Sequence, residues 1–268
     1  QQASAKFGFN PKETMRCAQS LFAGKDGGDG LITYMRTDSI EIDTAKLPII
    51  QQKIVALYGE AFLERRKFKN KKAAINIQEA HGAITPTDIN LLPSALKTRL
   101  SDNEFKLYSL IWERTMASQM KDAIFERTTI EFVPNNAPDL ASFSFSDQEL
   151  LFPGYLLVTK EEVRDLKPPN IKEGDVVDFL SLTKEQHFTD PPPRYNDASM
   201  IKTLEEKGIG RPSTYAGILS RLAEREYIIA KQKRYEPSDM GRLVSNFLNT
   251  SFTDYISDEF TSKMEDDL

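Results

Sequence analysis

The hydrophobic period of the sequence changes twice along the chain, and these changes restrict the fold more than any other feature. Up to about residue 127, apolar side chains recur every three or four positions, as at Tyr108, Trp112 and Met116, which is the period of an amphipathic helix. From Thr128 the period becomes two, which is typical of strands, and after three prolines at 191–193 the helical period returns. The pattern predicts an α+β, multidomain chain with a helical domain at 1–127, a β-rich segment at 128–195 and a second helical segment at 196–268.

Capping residues predict where helices begin in the first domain. Asn10 precedes Pro11 and has Glu13 three positions later, which is the pattern of a capping box, and residues 101–104 (SDNE) repeat it. A further helix is predicted from Asp43 or Thr44 to Tyr58, with Gly59 as its end.

Short apolar runs predict strands, and the last segment predicts a layout like a winged helix. The predicted strands are Leu31–Met35, Tyr155–Thr159 and Asp175–Leu182. In the last segment we predict a helix capped by Asp197, a second helix from Pro212 and a third from about Ser238, with a basic hairpin at Ile228–Tyr235 before the third helix.

Composition excludes several classes of protein. The net charge is −5, so any affinity for nucleic acid has to come from local basic clusters, at 65–72 and 225–234. Cys17 is the only cysteine, which excludes an internal disulfide and a paired-cysteine zinc site and fits a reducing compartment.

No run of about 18 apolar residues and no signal peptide are present, so we expect a cytoplasmic protein without a membrane partner. The chain begins with Gln1 and ends within a helical charge pattern, and we therefore expect an internal piece of a longer polypeptide.

Residues 31–39 (LITYMRTDS) combine a phenol with a guanidinium two positions later. On a strand, Tyr34 and Arg36 face the same side. An arginine beside a phenol, whose ordinary pKa is about 10, favours the phenolate and the charge on an attacked phosphate. Asp38 can orient the arginine, and Thr37 or Ser39 can bind phosphate or cap a helix. The alternative reading of this pattern is a packed tyrosine beside a surface charge.

Two further motifs carry groups that bind phosphate. Residues 207–215 (KGIGRPSTY) place two glycines and Arg211 before a helix start, where backbone N–H groups and a guanidinium favour an anion. The alternative is a helix-to-helix turn with a good cap. Residues 78–88 (QEAHGAITPTD) present His81, which as an imidazolium could donate to a phosphate. A structural histidine is the alternative there.

Taken together, and in this order, the three motifs resemble those of the type IA DNA topoisomerases, and more closely the bacterial topoisomerase I branch. That family has ITYMRTDS around its nucleophile, AHEAIRPTD downstream and GIGRPSTYA at a helix start. The flanking runs LYSLIWERTMASQM at 107–120 and EQHFTDPPPRYNDASMIKTLEEKGIG at 185–210 agree with it as well, so the resemblance covers essentially the whole chain.

The resemblance implies roles for individual residues. Tyr34 is similar to the nucleophile that forms a 5′-phosphotyrosine link, and Arg36 to the residue that activates it. Asp38 and His81 resemble groups that support this site. The remaining motif residues resemble DNA contacts: Thr37, Ser39, Arg211, Ser213 and Thr214.

The resemblance also implies what lies elsewhere. The family's Toprim domain supplies a catalytic glutamate and an Asp-x-Asp-x-x-Gly cluster for Mg²⁺; that pattern does not occur in this sequence, so we expect the domain before Gln1 and no metal site in this chain. The implied partners are single-stranded or underwound DNA and the Toprim domain of the same polypeptide, in a cytoplasmic, nucleoid-associated enzyme that relaxes negative supercoils without ATP. Two positions depart from the family motif: Gly82 stands where it has Glu, and Thr85 where it has Arg.

Other functions remain open from the residues alone. A non-catalytic DNA-binding module built on the winged-helix-like end would bind duplex DNA and be indifferent to Tyr34→Phe. A scaffold without a DNA role would show no salt-dependent affinity for oligonucleotides. If the topoisomerase interpretation holds, we expect this piece alone to be inactive in relaxation.

Overall fold

The computed structural model describes residues 1–24, 28–69, 81–135 and 142–267. The predicted loop at 65–72 and the start of the 78–88 motif lie partly outside the described residues. Among the described residues up to position 159, six α-helices occur: α1 Gln2–Phe7, α2 Pro11–Ala23, α3 Leu47–Tyr58, α4 Pro93–Leu96, α5 Asp102–Ser118 and α6 Leu156–Thr159. A 3-10 turn at Glu60–Phe62 follows α3.

The core forms around α5, the long helix that the sequence pattern predicts. Tyr108, Trp112 and Met116 are all buried on one face of it, and burial of such apolar area is the main term that stabilises a fold. The polar ends of two of these side chains are also satisfied: Tyr108 Oη donates to Leu91 O at 2.7 Å, and Trp112 Nε1 donates to Ile89 O at 3.0 Å. These bonds attach the 88–92 segment to the helix.

The two predicted capping boxes have different outcomes. At α5 the box is confirmed, because the Ser101 side chain accepts from the backbone N–H of Glu104 and Glu104 Oε2 accepts from Ser101 N at 2.9 Å. Ser101 Oγ also donates to Glu104 Oε2, at 2.7 Å. At α2 the cap is confirmed, with Glu13 N donating to Asn10 Oδ1 at 2.8 Å, but the return bond from the glutamate is wrong. The Glu13 carboxylate instead accepts from Arg16 and Asn103, which offer charged and amide donors on the protein surface. The helix predicted from Asp43 or Thr44 begins at Leu47, after a turn.

In the described part of the middle segment, the β structure is one antiparallel hairpin. Strands β1 (Ile124–Phe132) and β2 (Phe143–Phe152) pair from Ile124↔Phe152 to Phe132↔Phe143. Arg164 folds back onto the hairpin, where Nε and Nη2 each donate to a carboxylate oxygen of the buried Asp147 at 2.8 Å.

Two strands predicted in this segment are wrong. Residues 155–159 form the short helix α6 because Gly154, at φ 48°, turns the chain and Leu156 and Val158 are then buried against the α5 core. Residues 175–182 form no strand, and within 160–196, all of which the structure describes, no helix or strand occurs. Alternating side chains define two faces but supply no partner for backbone hydrogen bonds, and an extended segment becomes a strand only with such a partner.

The boundaries 1–127, 128–195 and 196–268 stay predictions; β1 starts at Ile124, just before the first of them.

The last segment has the order of elements that the sequence predicts. Its elements are α7 Asp197–Glu206, α8 Tyr215–Glu224, β3 Ile228–Lys231, β4 Arg234–Pro237, α9 Asp239–Ser251 and α10 Asp258–Asp267. Strands β3 and β4 pair as the predicted hairpin, and Ser238 caps α9. Two predicted starts are wrong: Asn196 rather than Asp197 caps α7, and α8 begins at Tyr215 because residues 212–214 form a turn. Helices α7 and α8 pack on α1 and α2, so this segment lies against the first. None of the described helices has the length and apolar composition needed to cross a bilayer.

Candidate functional site around Tyr34

The segment that carries Tyr34 is extended but is not the strand predicted at 31–35. It makes a single bridge, between Ile32 and Pro86, and then bends at Met35 and Arg36. The bridge is made by bonds of the flanking residues, Thr33 N to Thr85 O at 2.9 Å and Thr87 N to Leu31 O at 3.0 Å, and the bend at Met35 and Arg36 ends the pairing. The strand argument that put Tyr34 and Arg36 on one side therefore fails.

Side-chain hydroxyls replace the missing strand pairing. Thr33 N donates to Thr85 O at 2.9 Å, Thr85 N donates to Thr33 Oγ1 at 2.9 Å, and Thr33 Oγ1 donates to Ala83 O at 3.0 Å. On the other side of Tyr34, Thr37 Oγ1 donates to His81 O at 3.2 Å. The 31–37 segment is thus bonded to the 81–85 segment on both sides of the tyrosine.

The ring of Tyr34 is half-buried between two aromatic side chains. Its centroid lies 5.3 Å from that of Phe22, in an edge-on arrangement, and 4.9 Å from that of His81, with the planes at 47°. Among the described residues, no hydrogen bond reaches the Tyr34 hydroxyl. The ring is fixed while its oxygen stays available.

The charged members of the motif, Arg36 and Asp38, form no ion pair with each other. Arg36 is exposed and forms no ion pair or hydrogen bond with any described residue. The expected orienting contact from Asp38 is not formed. Burial raises the pKa of Tyr215, and the charges of Glu205 and then Asp38 raise it further, so Asp38 lies within electrostatic range of the start of α8.

The hydroxyls of Thr37 and Ser39, which are predicted to bind phosphate, form hydrogen bonds within the 37–41 loop in this structure. Thr37 Oγ1 accepts from Ser39 N at 3.0 Å, and Ser39 Oγ accepts from Glu41 N at 3.1 Å. Ser39 also makes a further contact. These bonds shape the chain between Arg36 and α3.

The two departures from the family motif have local explanations. A Cβ on Gly82 would lie 3.0 Å from Glu41 O, a close approach that glycine avoids. Thr85 is buried, and a cation still reaches it: Lys46 Nζ donates to Thr85 Oγ1 at 3.3 Å and to Pro86 O at 3.1 Å. Burial lowers the pKa of Lys46.

The Gly-Arg-Pro-Ser-Thr turn is closed against the end of the chain. Gly208 and Gly210 have φ of 68° and 77°, a conformation that favours glycine. Arg211 donates to Gly210 O and to Glu265 O, both at 2.9 Å, and Gly210 N donates to Glu265 Oε1 at 3.2 Å. Thr214 Oγ1 accepts from Arg211 N at 2.8 Å, while Ser213 is exposed.

Within the described ranges, no group of three or more His, Cys, Asp or Glu side chains is placed to hold a metal ion. The residues around Tyr34 therefore do not fit a Mg²⁺ site, which takes carboxylate oxygens.

Sequence reasoning singled out Tyr34, His81 and Thr37 together, but it missed Thr33, Lys46 and Phe22. Only their contacts in three dimensions connect them to the site.

Comparisons with known proteins show the family to which the chain belongs. A family model described as DNA topoisomerase matches residues 1–268. Proteins named DNA topoisomerase 1 from Rickettsia felis and Helicobacter pylori are 41% and 40% identical, over 278 and 271 residues, and both alignments cover 100% of this chain. The chain spans only 35% and 36% of those relatives, about a third of their length.

The structural comparison gives the same result. The structure of full-length topoisomerase I from Thermotoga maritima matches with a TM-score of 0.87 at 33% identity, over 99% of this chain and 43% of that one. The α+β architecture and the motif resemblance are both confirmed, and the chain belongs to the type IA DNA topoisomerase family, in the branch of bacterial topoisomerase I.

Proposed function

We propose that this chain carries the DNA-cleaving tyrosine of an ATP-independent type IA topoisomerase, and that Tyr34 attacks a phosphodiester of single-stranded or underwound DNA. One observation carries the proposal: the Tyr34 ring is held between Phe22 and His81, while its hydroxyl has no hydrogen-bond partner among the described residues. Buried tyrosines usually bond their hydroxyl, as Tyr108 does to Leu91 O.

In the proposed reaction, Tyr34 Oη forms a bond to phosphorus and the P–O3′ bond breaks. The phenolic proton leaves to solvent or a base, and the departing O3′ takes up a proton. The products are a 5′-phosphotyrosine and a free 3′-hydroxyl. Because the new diester keeps the energy of the broken bond, the 3′-hydroxyl can attack it and restore the strand after another strand has passed.

Arg36 is proposed to bind the attacked phosphate. Its side chain is exposed and makes no ion pair with a described residue, so DNA does not have to displace an internal carboxylate. A guanidinium near the phosphate stabilises the charge that develops as the tyrosine oxygen attacks. Asp38 and His81 support the site, and Thr37, Ser39, Arg211, Ser213 and Thr214 are proposed DNA contacts.

The Mg²⁺ that the family resemblance implies is proposed to bind to a Toprim domain outside this chain, since the described residues do not fit it. When bound there, the ion would neutralise phosphate charge. The 268-residue chain alone is then proposed to bind single strands without relaxing supercoiled DNA, and the complete enzyme to work in the cytoplasm on the nucleoid.

Covalent capture tests the proposal. The polypeptide at its full encoded length is mixed with an internally labelled single-stranded oligonucleotide and Mg²⁺, and protein–DNA adducts are separated on a denaturing gel. We expect an adduct with the unaltered protein and none with Tyr34→Phe. Tyr58→Phe is the control, because Tyr58 is a half-buried tyrosine of the same helical unit. Equal adduct in Tyr34→Phe would falsify the assignment of the nucleophile.

The non-catalytic alternative predicts a different result in the same experiment. A DNA-binding module would retain the oligonucleotide but form no adduct, and Tyr34→Phe would leave binding unchanged. The position of Tyr34 against His81 would then serve packing alone.

A further inference from the structure

The Thr33 hydroxyl is bonded on both sides, and it precedes Tyr34 directly. It accepts the N–H of Thr85 at 2.9 Å and donates to the carbonyl of Ala83 at 3.0 Å. Thr85 is 4% exposed, so if the Thr33 hydroxyl were removed, water would not readily replace it as the acceptor for the Thr85 N–H. One hydroxyl therefore satisfies a donor and an acceptor of the opposing segment, and both would be left unpaired without it.

The same segment holds His81, the residue that contacts the Tyr34 ring. Thr33 bonds to Ala83 and Thr85 on one side of the tyrosine, and Thr37 bonds to His81 O at 3.2 Å on the other. The two segments and these bonds form a closed loop around the Tyr34–His81 contact. A change in spacing at Thr33 must therefore displace the Tyr34 ring relative to His81.

Lys46 restrains the segment that Thr33 contacts. Its amine donates to Thr85 Oγ1 and Pro86 O, which fixes the residue that Thr33 contacts. The contacts of Thr33 are consequently made to a restrained partner. Displacement is then expected at the Tyr34 side, where the hydroxyl is unbonded.

We propose that Thr33 is a positioning residue, which holds Tyr34 in the orientation for attack through its hydroxyl group. The proposal rests on Tyr34 being the nucleophile. Reaction rates respond steeply to the placement of the attacking atom, because productive geometry requires it within a narrow distance and angle of the phosphorus. Thr33 does not contact DNA in this proposal and acts only through Tyr34.

Two substitutions separate the hydroxyl from the shape of the side chain. Thr33→Val keeps the volume and removes the hydroxyl, whereas Thr33→Ser keeps the hydroxyl and removes the methyl group. In the full-length polypeptide, at saturating oligonucleotide, we expect Thr33→Val to slow single-turnover adduct formation by roughly tenfold and Thr33→Ser to stay within about threefold of the unaltered protein. Oligonucleotide affinity should not change in either variant.

A second measurement distinguishes positioning from partial unfolding. Misplacement of Tyr34 slows cleavage and religation alike, so the final amount of adduct is unchanged. Loss of folded protein instead lowers the final amount of adduct and leaves the rate constant of adduct formation unchanged. Thr115→Val is the matched control, because its buried hydroxyl bonds only within α5, to Ile111 O. It should lower the melting temperature and leave the cleavage rate unchanged.

The outcomes are distinct. A normal rate in Thr33→Val, an equally slow Thr33→Ser, or a loss of amount without a loss of rate overturns the positioning role. If Thr33→Val does not fold, Thr33→Ala provides the same comparison with a smaller side chain. Absence of an adduct with the unaltered protein, or an adduct with Tyr34→Phe, instead shows that the proposed function has failed, and the Thr33 role fails with it.

Discussion

The imidazole of His81 lies against the ring of Tyr34, with the two centroids 4.9 Å apart. The residues are 47 positions apart in sequence, and the pairing of the 31–37 and 81–85 segments brings them together. The pair therefore places an imidazole against the ring of the proposed nucleophile.

Substitution of His81 separates packing from chemistry. His81→Phe keeps an aromatic ring against Tyr34, whereas His81→Ala removes it. We expect His81→Ala to lower the free energy of unfolding by less than about 1 kcal/mol, because His81 is exposed, and His81→Phe to have little effect on it. Adduct formation should be slow in both variants if the imidazole contacts DNA. Full activity in His81→Phe would show that only the ring matters.

Arg36 should matter for the reaction and not for folding. Because it is exposed and without an ion pair among the described residues, Arg36→Ala should leave the melting temperature unchanged. Its single-turnover cleavage rate should fall by roughly 100-fold or more, as for other groups that stabilise developing charge. Arg36→Lys should recover only part of the lost cleavage rate, because an ammonium cannot bind phosphate through two parallel bonds. An unchanged rate in Arg36→Ala would contradict a role at the phosphate.

Glu265 occupies donors of the 208–214 turn, which we propose to bind DNA phosphate. Its carboxylate accepts from Gly210 N, and its backbone carbonyl accepts from Arg211. Removal of the charge by Glu265→Gln should increase single-strand affinity severalfold and steepen its dependence on salt, because more phosphate contact becomes available. Fluorescence anisotropy of a labelled oligonucleotide at several salt concentrations measures both effects. Asp254→Asn, an exposed acid outside α10, controls for net charge; the same gain in that variant would argue against a local effect.

Glu113 gives the stability of the helical unit a pH dependence. Burial raises the pKa of its carboxyl, with Lys6 and Lys160 opposing the shift. A raised folded-state pKa means that the protonated form stabilises the fold at acidic pH and that this contribution is lost as pH rises through the folded pKa. Glu113→Gln should therefore melt higher than the unaltered protein at pH 7. The difference should shrink as pH falls below the ordinary value of 4.5, and a difference that is constant with pH would contradict this.

Local signals were sufficient for part of the fold. The caps at Asn10, Ser101 and Ser238 and the helical faces of α2 and α5 follow from contacts within a few residues, and the structure has them. The β3–β4 hairpin follows from a local signal, and the period of two that begins at Thr128 indicates strand structure where β1 and β2 lie. The order of the three motifs also identifies the family from the sequence alone.

Contacts between distant segments could not be predicted in this way. Residues 31–35 and 175–182 have the composition of strands, but a strand also needs a partner, and sequence alternation does not say whether one is present. Lys46 lies at the start of α3, and nothing in its neighbourhood indicates that its amine reaches Thr85 and Pro86. Asp38 lies two residues from Arg36, yet its charge acts on Tyr215 across the contact between segments.

The pairing around Tyr34 joins residues that are 50 and 52 positions apart, between Thr33 and its partners Ala83 and Thr85. Closing a loop of that length costs conformational entropy, which only the packed helices around it can offset. The arrangement is therefore expected to form late in folding and to open before the core does. A nascent or partly unfolded chain would hold the tyrosine without its orientation, and under the proposed function it would not cleave DNA.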